Sequence, residues 1–364
     1  PDDCAAPCNV IAGNESANLL LESDVLVARN YIGVEAGRIA APAVSINAVI
    51  ATFDVTLEAN LVGGSQQEAI LLVDGGTKTI ERNLIGVDVT GQCLAAVNTI
   101  NDSAISISGD AEKVVEVNGN LIGCVGSGHG TESGILVNSV ASTTIFTITN
   151  NLIGTDGGTE TWPIDGYGLS LLGGTGSVDT VAIANGGTAG GDGTLMRIGG
   201  TAQNVRVTDS FFGAGSDRPS IYVRNGWDHQ FINNTFDITD TIAFSTEGGG
   251  PQTGFSIDPA SMRFGDTGPE PIRLVGNSNA NIPRPNVDSV SDAGLNLIAS
   301  GTAIPGANLA VYQGTESSLD AKVASCPVEA DGDFICVFVD QGISNLYFAI
   351  NAQYFLISSP TPDI

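Results

Sequence analysis

The feature that most constrains the fold of this chain is a four-residue motif that recurs at irregular intervals. Its five copies that begin with Asn lie 23 to 37 residues apart, and each combines an amide, two apolar residues and a glycine. Such a repeat is either a repeated binding site or a repeated structural corner. The copies are NYIG at Asn30, NLVG at Asn60 and NLIG at Asn83, Asn120 and Asn151, with a degenerate SFFG at Ser210.

Apolar residues at fixed distances from the Asn identify the motif as a corner. They stand five and three residues before the Asn and two residues after it, as Val115, Val117 and Ile122 do around Asn120. Alternation with a period of two predicts a strand with one buried face, and the odd step before the Asn requires a bend. A second apolar pair precedes each corner by 11 to 15 residues. Each repeat therefore predicts three short strands separated by turns.

Strands separated by such short bends cannot pair within one repeat, so we expect them to pair with the equivalent strands of the next. This is a parallel β-helix, with coils stacked about 4.8 Å apart. The corners predict roughly eight to ten coils. One repeat lacks the motif, and we expect its corner near Asn185-Gly186. The Gly after each Asn suits a positive φ.

The Asn residues of the corners predict a stacked amide ladder. A buried amide is tolerated only when it is hydrogen-bonded, and in a stack each amide can donate to one neighbouring coil and accept from the other. The predicted ladder contains Asn30, Asn60, Asn83, Asn120 and Asn151.

Composition and charge narrow the class of protein and of partner. The chain of 364 residues contains 47 Gly, and no stretch has the apolar spacing of a helix, so we expect an all-β fold. A formal net charge of −27 argues against nucleic acid, whose phosphates need Lys and Arg. No apolar run approaches the ~18 residues of a membrane-spanning helix. The opening PDDCAAPCNV is the kind of start that removal of a leader would leave.

The six cysteines fall into three pairs. No pair is accompanied by His at zinc-ligand spacing, so disulfides in an oxidising compartment fit better than a metal site. We therefore expect a secreted, extracellular or cell-surface protein. The expected pairs are Cys4 with Cys8, Cys93 with Cys124, and Cys326 with Cys336.

The repeats NYIGVEAG, NLIGVDVTGQ and NLIGTDGGT resemble the Asn-x-Ile-Gly-Thr-Asp-x-x-Gly repeats of large bacterial surface proteins. CNVIAGNES at Cys8–Ser16 is similar to the NVISGN unit of the same proteins. The resemblance covers roughly residues 1–265 and implies a right-handed parallel β-helix. It implies little about activity, because β-helices include lyases, hydrolases, tailspikes and adhesins.

The periodicity changes after about residue 270. We assign 1–270 to the β-helix, the proline-rich 271–286 to a linker or cap, and 287–364 to a small antiparallel β-sandwich. SGTAIPGANLAVYQ and ADGDFIC resemble stretches of immunoglobulin-like modules in bacterial surface proteins. That resemblance implies a spacer or stalk.

Two catalytic constellations of β-helix enzymes find incomplete counterparts here. A GHG sequence contains His129, but the clustered Asp residues and the Arg-x-Lys that accompany such a His in polygalacturonase-type hydrolases are absent. We expect His129 to be a loop residue. Lyase chemistry would need an Arg base beside calcium-binding Asp residues. The residues that could supply it are Arg197 with Arg206 or Arg224, and Asp209, Asp217 and Asp228.

The insertions that follow the corner glycines contain the remaining candidate sites. Trp162, Tyr167 and Asp165 suit a glycan contact, because aromatic rings stack on sugars and carboxylates bind their hydroxyls; the alternative is a staple packed on the flank of the rod. Asp88 and Asp156 recur two residues past the glycine. They suit either calcium bridging or turn capping. No cofactor is required by any motif, and calcium is the one metal these acids suggest.

The leading interpretation is a non-enzymatic, structural or adhesive rod, whose copies associate head to tail into a fibre or coat or whose surface binds glycans. The alternative is a lyase, hydrolase or epimerase acting on uronate-rich polysaccharides, or a tailspike-like glycan-binding protein.

Overall fold

A computed structural model describes most of the chain, and every regular element in the described part is a strand. No described helix is long and apolar enough to cross a membrane. The described residues are 9–34, 46–88, 90–94, 102–126, 132–139, 143–158, 161–184, 194–213, 219–224, 228–236, 244–248, 256–257, 263–264, 272–276, 285–315, 318–339 and 345–350.

Three parallel sheets build the first part of the molecule. Sheet A contains β1 (Val10–Ile11), β4 (Tyr31–Ile32), β7 (Leu61–Val62), β10 (Leu84–Ile85), β13 (Leu121–Ile122), β16 (Leu152–Ile153), β19 (Ala182–Ile183), β22 (Phe211–Phe212), β25 (Thr235–Phe236) and β28 (Arg263–Phe264). Sheet B contains β2 (Ala17–Leu21), β5 (Asn47–Ala51), β8 (Ile70–Leu72), β11 (Ser103–Gly109), β14 (Ser133–Ser139), β17 (Tyr167–Leu171), β20 (Met196–Ile198), β23 (Ile221–Val223), β26 (Phe244–Gly248) and β29 (Ile272–Gly276). Sheet C contains β3 (Val25–Ala28), β6 (Val55–Glu58), β9 (Gly76–Glu81), β12 (Lys113–Asn118), β15 (Ile145–Thr149), β18 (Thr175–Asp179), β21 (Gln203–Thr208), β24 (Gln230–Ile232) and β27 (Ser256–Ile257).

The chain visits the sheets in the order B, C, A, and each circuit is one coil. Coil 1 is β2–β4 and coil 9 is β26–β28, with β1 before them and β29 after them. Strands pair in parallel with their equivalents one coil away, as Val115 does with Lys78 and with Phe146. The predicted parallel β-helix and its roughly eight to ten coils are confirmed. β29 lies within residues 271–286, assigned from the sequence to a linker or cap, and it pairs with β26 in sheet B.

Alternating apolar residues from all three sheets form one continuous core inside the coils. On sheet C, Val115 and Val117 are buried, whereas Val114 and Glu116, which alternate with them, are exposed. The rows of like residues stack on one another, and the rings of Phe212 and Phe236 lie 5.1 Å apart. Each side chain buried in this way contributes about 1.5–3 kcal/mol relative to exposure.

The backbone makes the corner with a residue that the sequence did not single out. The residue directly before the ladder position has a positive φ, as Arg29 (59°), Arg82 (55°) and Asn150 (54°) do. This left-handed residue provides the bend between sheets C and A. The motif glycines were expected to have a positive φ, and those of coils 1, 3 and 5 do. In coils 2 and 4 the residue after the motif glycine, Gly64 or Cys124, has the positive φ.

The Asn side chains stack along the corner. The Asn120 Oδ1 accepts from the backbone N–H of Asn83 at 2.9 Å, and its Nδ2 donates to Ile80 O at 2.8 Å and to the Oδ1 of Asn151 at 3.0 Å. The same pattern joins Asn60 to its neighbours on both sides. Each of these amides satisfies a buried backbone group of an adjacent coil.

The stack is interrupted in coil 6, where Val181 occupies the corner position; Asn185 and Gly186, near which the corner was expected, lie outside the described residues. The pairing of Ala182 with Leu152 places Val181 at the ladder position, and Val181 donates its backbone N–H to Ser210 Oγ at 3.2 Å. The motif search missed this corner because a Val occupies the position of the Asn.

Two antiparallel sheets of three strands each form the C-terminal unit. One contains β30 (Asn286–Asp292), β31 (Asn296–Thr302) and β34 (Asp333–Val339); the other contains β33 (Ser318–Pro327), β32 (Asn308–Thr315) and β35 (Asn345–Ile350). They enclose a separate apolar core. A disulfide joins Cys326 of β33 to Cys336 of β34, and therefore links the two sheets.

Candidate functional site

The insertions after the corner glycines fold back onto the rod. After Gly86 the chain makes a small hairpin in which Val87 pairs with Cys93, and Leu94 then donates its N–H to Gly86 O. Cys93 forms a disulfide with Cys124 of the next coil. The predicted bond therefore ties an insertion of coil 3 to the corner of coil 4. Cys4 and Cys8 lie outside the described residues.

Trp162 ends the equivalent insertion of coil 5 and packs inward. It is 5% exposed and forms an apolar cluster with Val87 and Cys124. A Cβ on Gly123 would lie 2.9 Å from Trp162 Cβ, so the indole fits only because that corner residue is glycine. The staple is the arrangement observed. The glycan-contact hypothesis is corrected here, because a ring covered on its faces offers no surface for a sugar.

The other two members of that predicted glycan site are also held by the rod. Tyr167 is 8% exposed and lies against the guanidinium of Arg197, whose Cζ is 5.3 Å from the ring centroid. Asp165 is half-buried, and its backbone N–H donates to Val125 O in the coil before at 3.0 Å. The three residues therefore do not form one open surface.

Asp88 and Asp156 cap turns within their insertions. Asp88 Oδ1 accepts from Thr90 N at 2.7 Å and from Gln92 N at 3.0 Å. Asp156 Oδ1 accepts from Gly158 N at 2.7 Å. These acids lie two coils apart, and the described residues contain no group of three or more His, Cys, Asp or Glu that could hold a metal ion. Turn capping accounts for the recurrence of an acid at this position.

The described arginines of the hypothetical lyase site divide between sheet B, with Arg197 and Arg224, and sheet C, with Arg206. Arg197 belongs to β20 of sheet B and Arg206 to β21 of sheet C. Arg224 follows β23 of sheet B, beside Gly199 of the coil before. Asp217 and His129 lie outside the described residues.

An open groove of about 360 Å³ crosses the outer face of sheet C in coils 1 to 3. The in-register pairing of β3, β6 and β9 stacks two rows of outward residues along it. The groove presents two carboxylates, three hydroxyl groups and an exposed apolar side chain. Its outward residues are Asp24, Asp54 and Thr77 in one row, and Leu26, Thr56 and Thr79 in the other.

The turn that bears Asp54 is held in place by groups of the next coil. Asp54 Oδ1 accepts from the backbone N–H of Thr77 at 2.6 Å. Gly76 has φ of +93°, and a Cβ there would lie 2.3 Å from that oxygen, so only glycine admits this contact. Phe53, the residue before Asp54, is 55% exposed.

A buried lysine supports the same turn from below. Lys78 is fully buried at an inward position of β9, and its Nζ donates to Phe53 O. Burial lowers the pKa of Lys78, the charge of Lys113 lowers it further, and Asp54 and Asp74 oppose both effects. Lys78 stands five residues before Asn83, at a position that is apolar in the other repeats around an Asn corner. A charged side chain in an apolar row was the signal, because such a group must find a partner.

Carboxyl groups also stack at the start of sheet B in coils 3 to 5. Burial raises the pKa of Glu68, and the nearby charge of Asp102 raises it further. Burial likewise raises the pKa of Asp102, with a further contribution from Glu132. Glu132 is itself buried, and its carbonyl accepts from Tyr167 N. This column influences stability; it holds no ligand-binding feature beyond the acids themselves.

No protein-family model matches the sequence, and no curated protein matches it. Among solved structures, the chain is similar to ORF18 of Geobacillus virus E2, with 11% identity and a TM-score of 0.44 over 95% of this chain and 76% of that one. It is also similar to tailspike protein gp49 of Acinetobacter baumannii bacteriophage Fri1, a capsular polysaccharide depolymerase, with 11% identity and a TM-score of 0.32 over 92% of this chain and 68% of that one. A third similar structure is a mutant of the tailspike protein of Escherichia coli bacteriophage HK620 in complex with a hexasaccharide, with 11% identity and a TM-score of 0.32 over 94% of this chain and 68% of that one. The assignment of this chain as a parallel β-helix rests on its own strand pairing.

Proposed function

We propose that this chain is an extracellular adhesive β-helix that binds glycans in the groove of sheet C. The observation that supports the proposal is the composition of that groove: Asp24 and Asp54 stand beside hydroxyl groups and the exposed Leu26. Carboxylates and hydroxyls hydrogen-bond sugar hydroxyls, and apolar groups contact the C–H faces of sugar rings.

The rigidity of the groove favours binding. Its floor is a hydrogen-bonded sheet, and its Asp54 turn is fixed by Thr77 and by Lys78. A surface that is ordered before the ligand arrives loses less conformational entropy on binding. Open grooves of this kind suit an extended chain such as a polysaccharide better than an enclosed small molecule.

The extracellular location is part of the proposal. The disulfides Cys93–Cys124 and Cys326–Cys336 persist in oxidising compartments and are rare in the cytosol. The acidic surface keeps such a protein soluble and excludes nucleic acid as the partner. A rod with a rigid flank and a separate β-sandwich suits adhesion at a surface.

A glycan array, followed by calorimetry on the strongest hit, tests the proposal. Replacing Thr56 and Thr79 by Val removes two hydroxyls and keeps β-branched side chains on the strands. Two hydrogen bonds of about 1 kcal/mol each predict a loss of affinity of about 30-fold in the double variant.

Thr147→Val is the matched control. Thr147 is exposed on β15 of the same sheet, two coils beyond Thr79 in the same outward row. We expect its affinity to stay within about twofold of the wild type. An array without any binder, or equal effects of the groove and control substitutions, would contradict the proposal.

Cleavage of the bound glycan is a second candidate function. Asp24 and Asp54 are in one row on adjacent coils, and strands about 4.8 Å apart bring such carboxyl groups near the separation used by retaining glycosidases. Incubation of the array hit with the wild type and Asp24→Asn tests this. Product formation that the substitution abolishes supports cleavage, and an intact glycan contradicts it.

Head-to-tail association of copies is the remaining part of the proposal. β2 and β3 stand at one margin of their sheets in the described part of the chain, and Leu20 and Leu26 on them are 54% and 61% exposed. Sheet margins are templates for strand addition. Light scattering over a hundredfold concentration range tests it: mass that rises with concentration supports association, and a constant monomer mass contradicts it.

A further inference from the structure

The outer face of sheet B in coils 6 to 8 contains an arginine that the fold leaves partly unsatisfied. Arg197 stands between Ser170 and Tyr222 in one outward row. Its guanidinium lies over the ring of Tyr167, with Cζ 5.3 Å from the centroid. The Nε is buried and has no hydrogen-bond partner among the described residues.

A second arginine stands on the same face one coil further along. Arg224 follows β23 and is exposed. It stands beside Gly199 of the coil before, since a Cβ added to Gly199 would lie 3.8 Å from the Cβ of Arg224. Strand spacing places the Cα atoms of Arg197 and Arg224 about 8 Å apart. Gly199, in register with Arg224 in the coil before, adds no side chain to the surface between the two arginines.

The charge distribution along the chain makes this face distinctive. No Lys or Arg occurs between Lys113 and Arg197, and four Arg residues then follow within 197–224. The residues in register with Arg197 on the two neighbouring coils are Ser170 and Tyr222, and neither is an acid. Arg224 differs, because Glu247 of β26 follows Thr246, the partner of Val223, and so stands beside it. In a chain of net charge −27, Arg197 is therefore a local positive charge with no acid in register on either side, which favours the approach of an anion.

We infer that this face of sheet B binds a carboxylated polysaccharide, with Arg197 as the residue that holds a carboxylate of the ligand. An arginine presents a planar fork of donors that matches a carboxylate, and the contact with Tyr167 fixes the plane of that fork. Tyr222 offers a partly exposed ring beside it for a sugar face. The inference deepens the proposed function by adding an acidic class of glycan at a second surface.

Affinity electrophoresis of the intact protein in gels that contain polygalacturonate, alginate or polysialate tests the inference. Fully methyl-esterified pectin is the matched probe, because it keeps the galacturonan backbone and removes the charge. We expect retardation by at least one carboxylated polymer and none by the ester. Arg197→Gln should weaken the retardation constant at least tenfold, and Arg197→Lys should weaken it several-fold, since a lysine keeps the charge without the fork.

Arg206→Gln is the matched control variant. Arg206 is exposed in the same coil on sheet C, so its substitution changes the net charge equally on another face. We expect it to bind as the wild type does. Absence of retardation by all three polymers, equal retardation by the ester, or equal losses in the Arg197 and Arg206 variants would each overturn the inference. Thr56→Val/Thr79→Val should retain this binding, which separates failure here from failure of the groove of sheet C.

Discussion

Replacing Asn120 by Ala should destabilise the β-helix far more than the same substitution at Asn30. Asn120 is at the middle of the stacked amides and is 1% exposed. Its side chain accepts from the backbone N–H of Asn83 and donates to Ile80 O, Asn118 O and Asn151 Oδ1. Alanine can make none of these bonds.

The magnitude follows from which groups lose their partner. The Asn83 N–H is left buried without its acceptor, which costs about 1–3 kcal/mol. Ile80 O and Asn151 Oδ1 each lose the hydrogen bond that Asn120 donates, and this loss and the small cavity together add about 1 kcal/mol. We therefore expect about 3 kcal/mol for Asn120→Ala. Asn30 is 7% exposed and accepts from the exposed Asn9, which water can serve instead, so we expect about 1 kcal/mol there.

Hydrogen exchange measured by mass spectrometry on both variants is the appropriate assay, because a coil array need not unfold in one step. Peptides covering Asn83–Gly86 and Asn120–Gly123 should lose protection in Asn120→Ala and keep it in Asn30→Ala. Equal destabilisation by the two substitutions, or a loss below about 1 kcal/mol at Asn120, would refute the argument that the stacked amides satisfy the corners.

Three further predictions concern packing, cross-linking and pH. Trp162→Ala should lower the free energy of unfolding by about 3–5 kcal/mol, because it leaves a cavity in the cluster over Gly123. The measurement is the thermal unfolding midpoint, and an unchanged midpoint would contradict the staple. Replacing Cys93 and Cys124 by Ser should cost about 3–4 kcal/mol in non-reducing buffer, since the bond closes a span of 31 residues, and full stability of the variant would contradict this. A carboxyl whose pKa is raised on folding adds stability below its unfolded pKa and loses it as the pH rises through the folded pKa. Asp102→Asn should therefore be more stable than the wild type at pH 7, and the difference should vanish below about pH 3.8. Denaturation midpoints of both proteins at the two pH values measure this, and an equal difference at both would contradict the raised pKa of Asp102.

The coil architecture could be predicted from the sequence because its signal is local and repeated. Val117, Asn120 and Ile122 each have equivalents in the neighbouring coils, and a stack of coils forces equivalent residues into equivalent environments. Where a coil departs from the pattern, the motif gives no signal: in coil 6 Val181 stands at the position of the Asn, and the sequence alone did not identify it as a corner.

The groove of sheet C could not be predicted because it depends on contacts between coils that the repeat does not encode. Asp54 meets Thr77 across 23 residues, and Lys78 reaches the carbonyl of Phe53 in the coil before. The sequence could not decide between a glycan contact and a staple for Trp162 for a related reason. The glycine at 123 creates the space that Trp162 fills, and that space is invisible in a single repeat.

Hydroxyl-radical footprinting with the tightest glycan from the array tests the central claim most directly, because it reports the exposure of individual side chains. Leu26 lines the groove and is 61% exposed, and Phe53, which precedes the groove residue Asp54, is 55% exposed. Val114 and Ile145 are 47% and 49% exposed in the next two coils of the same sheet. We predict that the glycan reduces oxidation of Leu26 and Phe53 and leaves Val114 and Ile145 unchanged. Unchanged oxidation at Leu26 and Phe53 under saturating glycan would contradict binding in the groove.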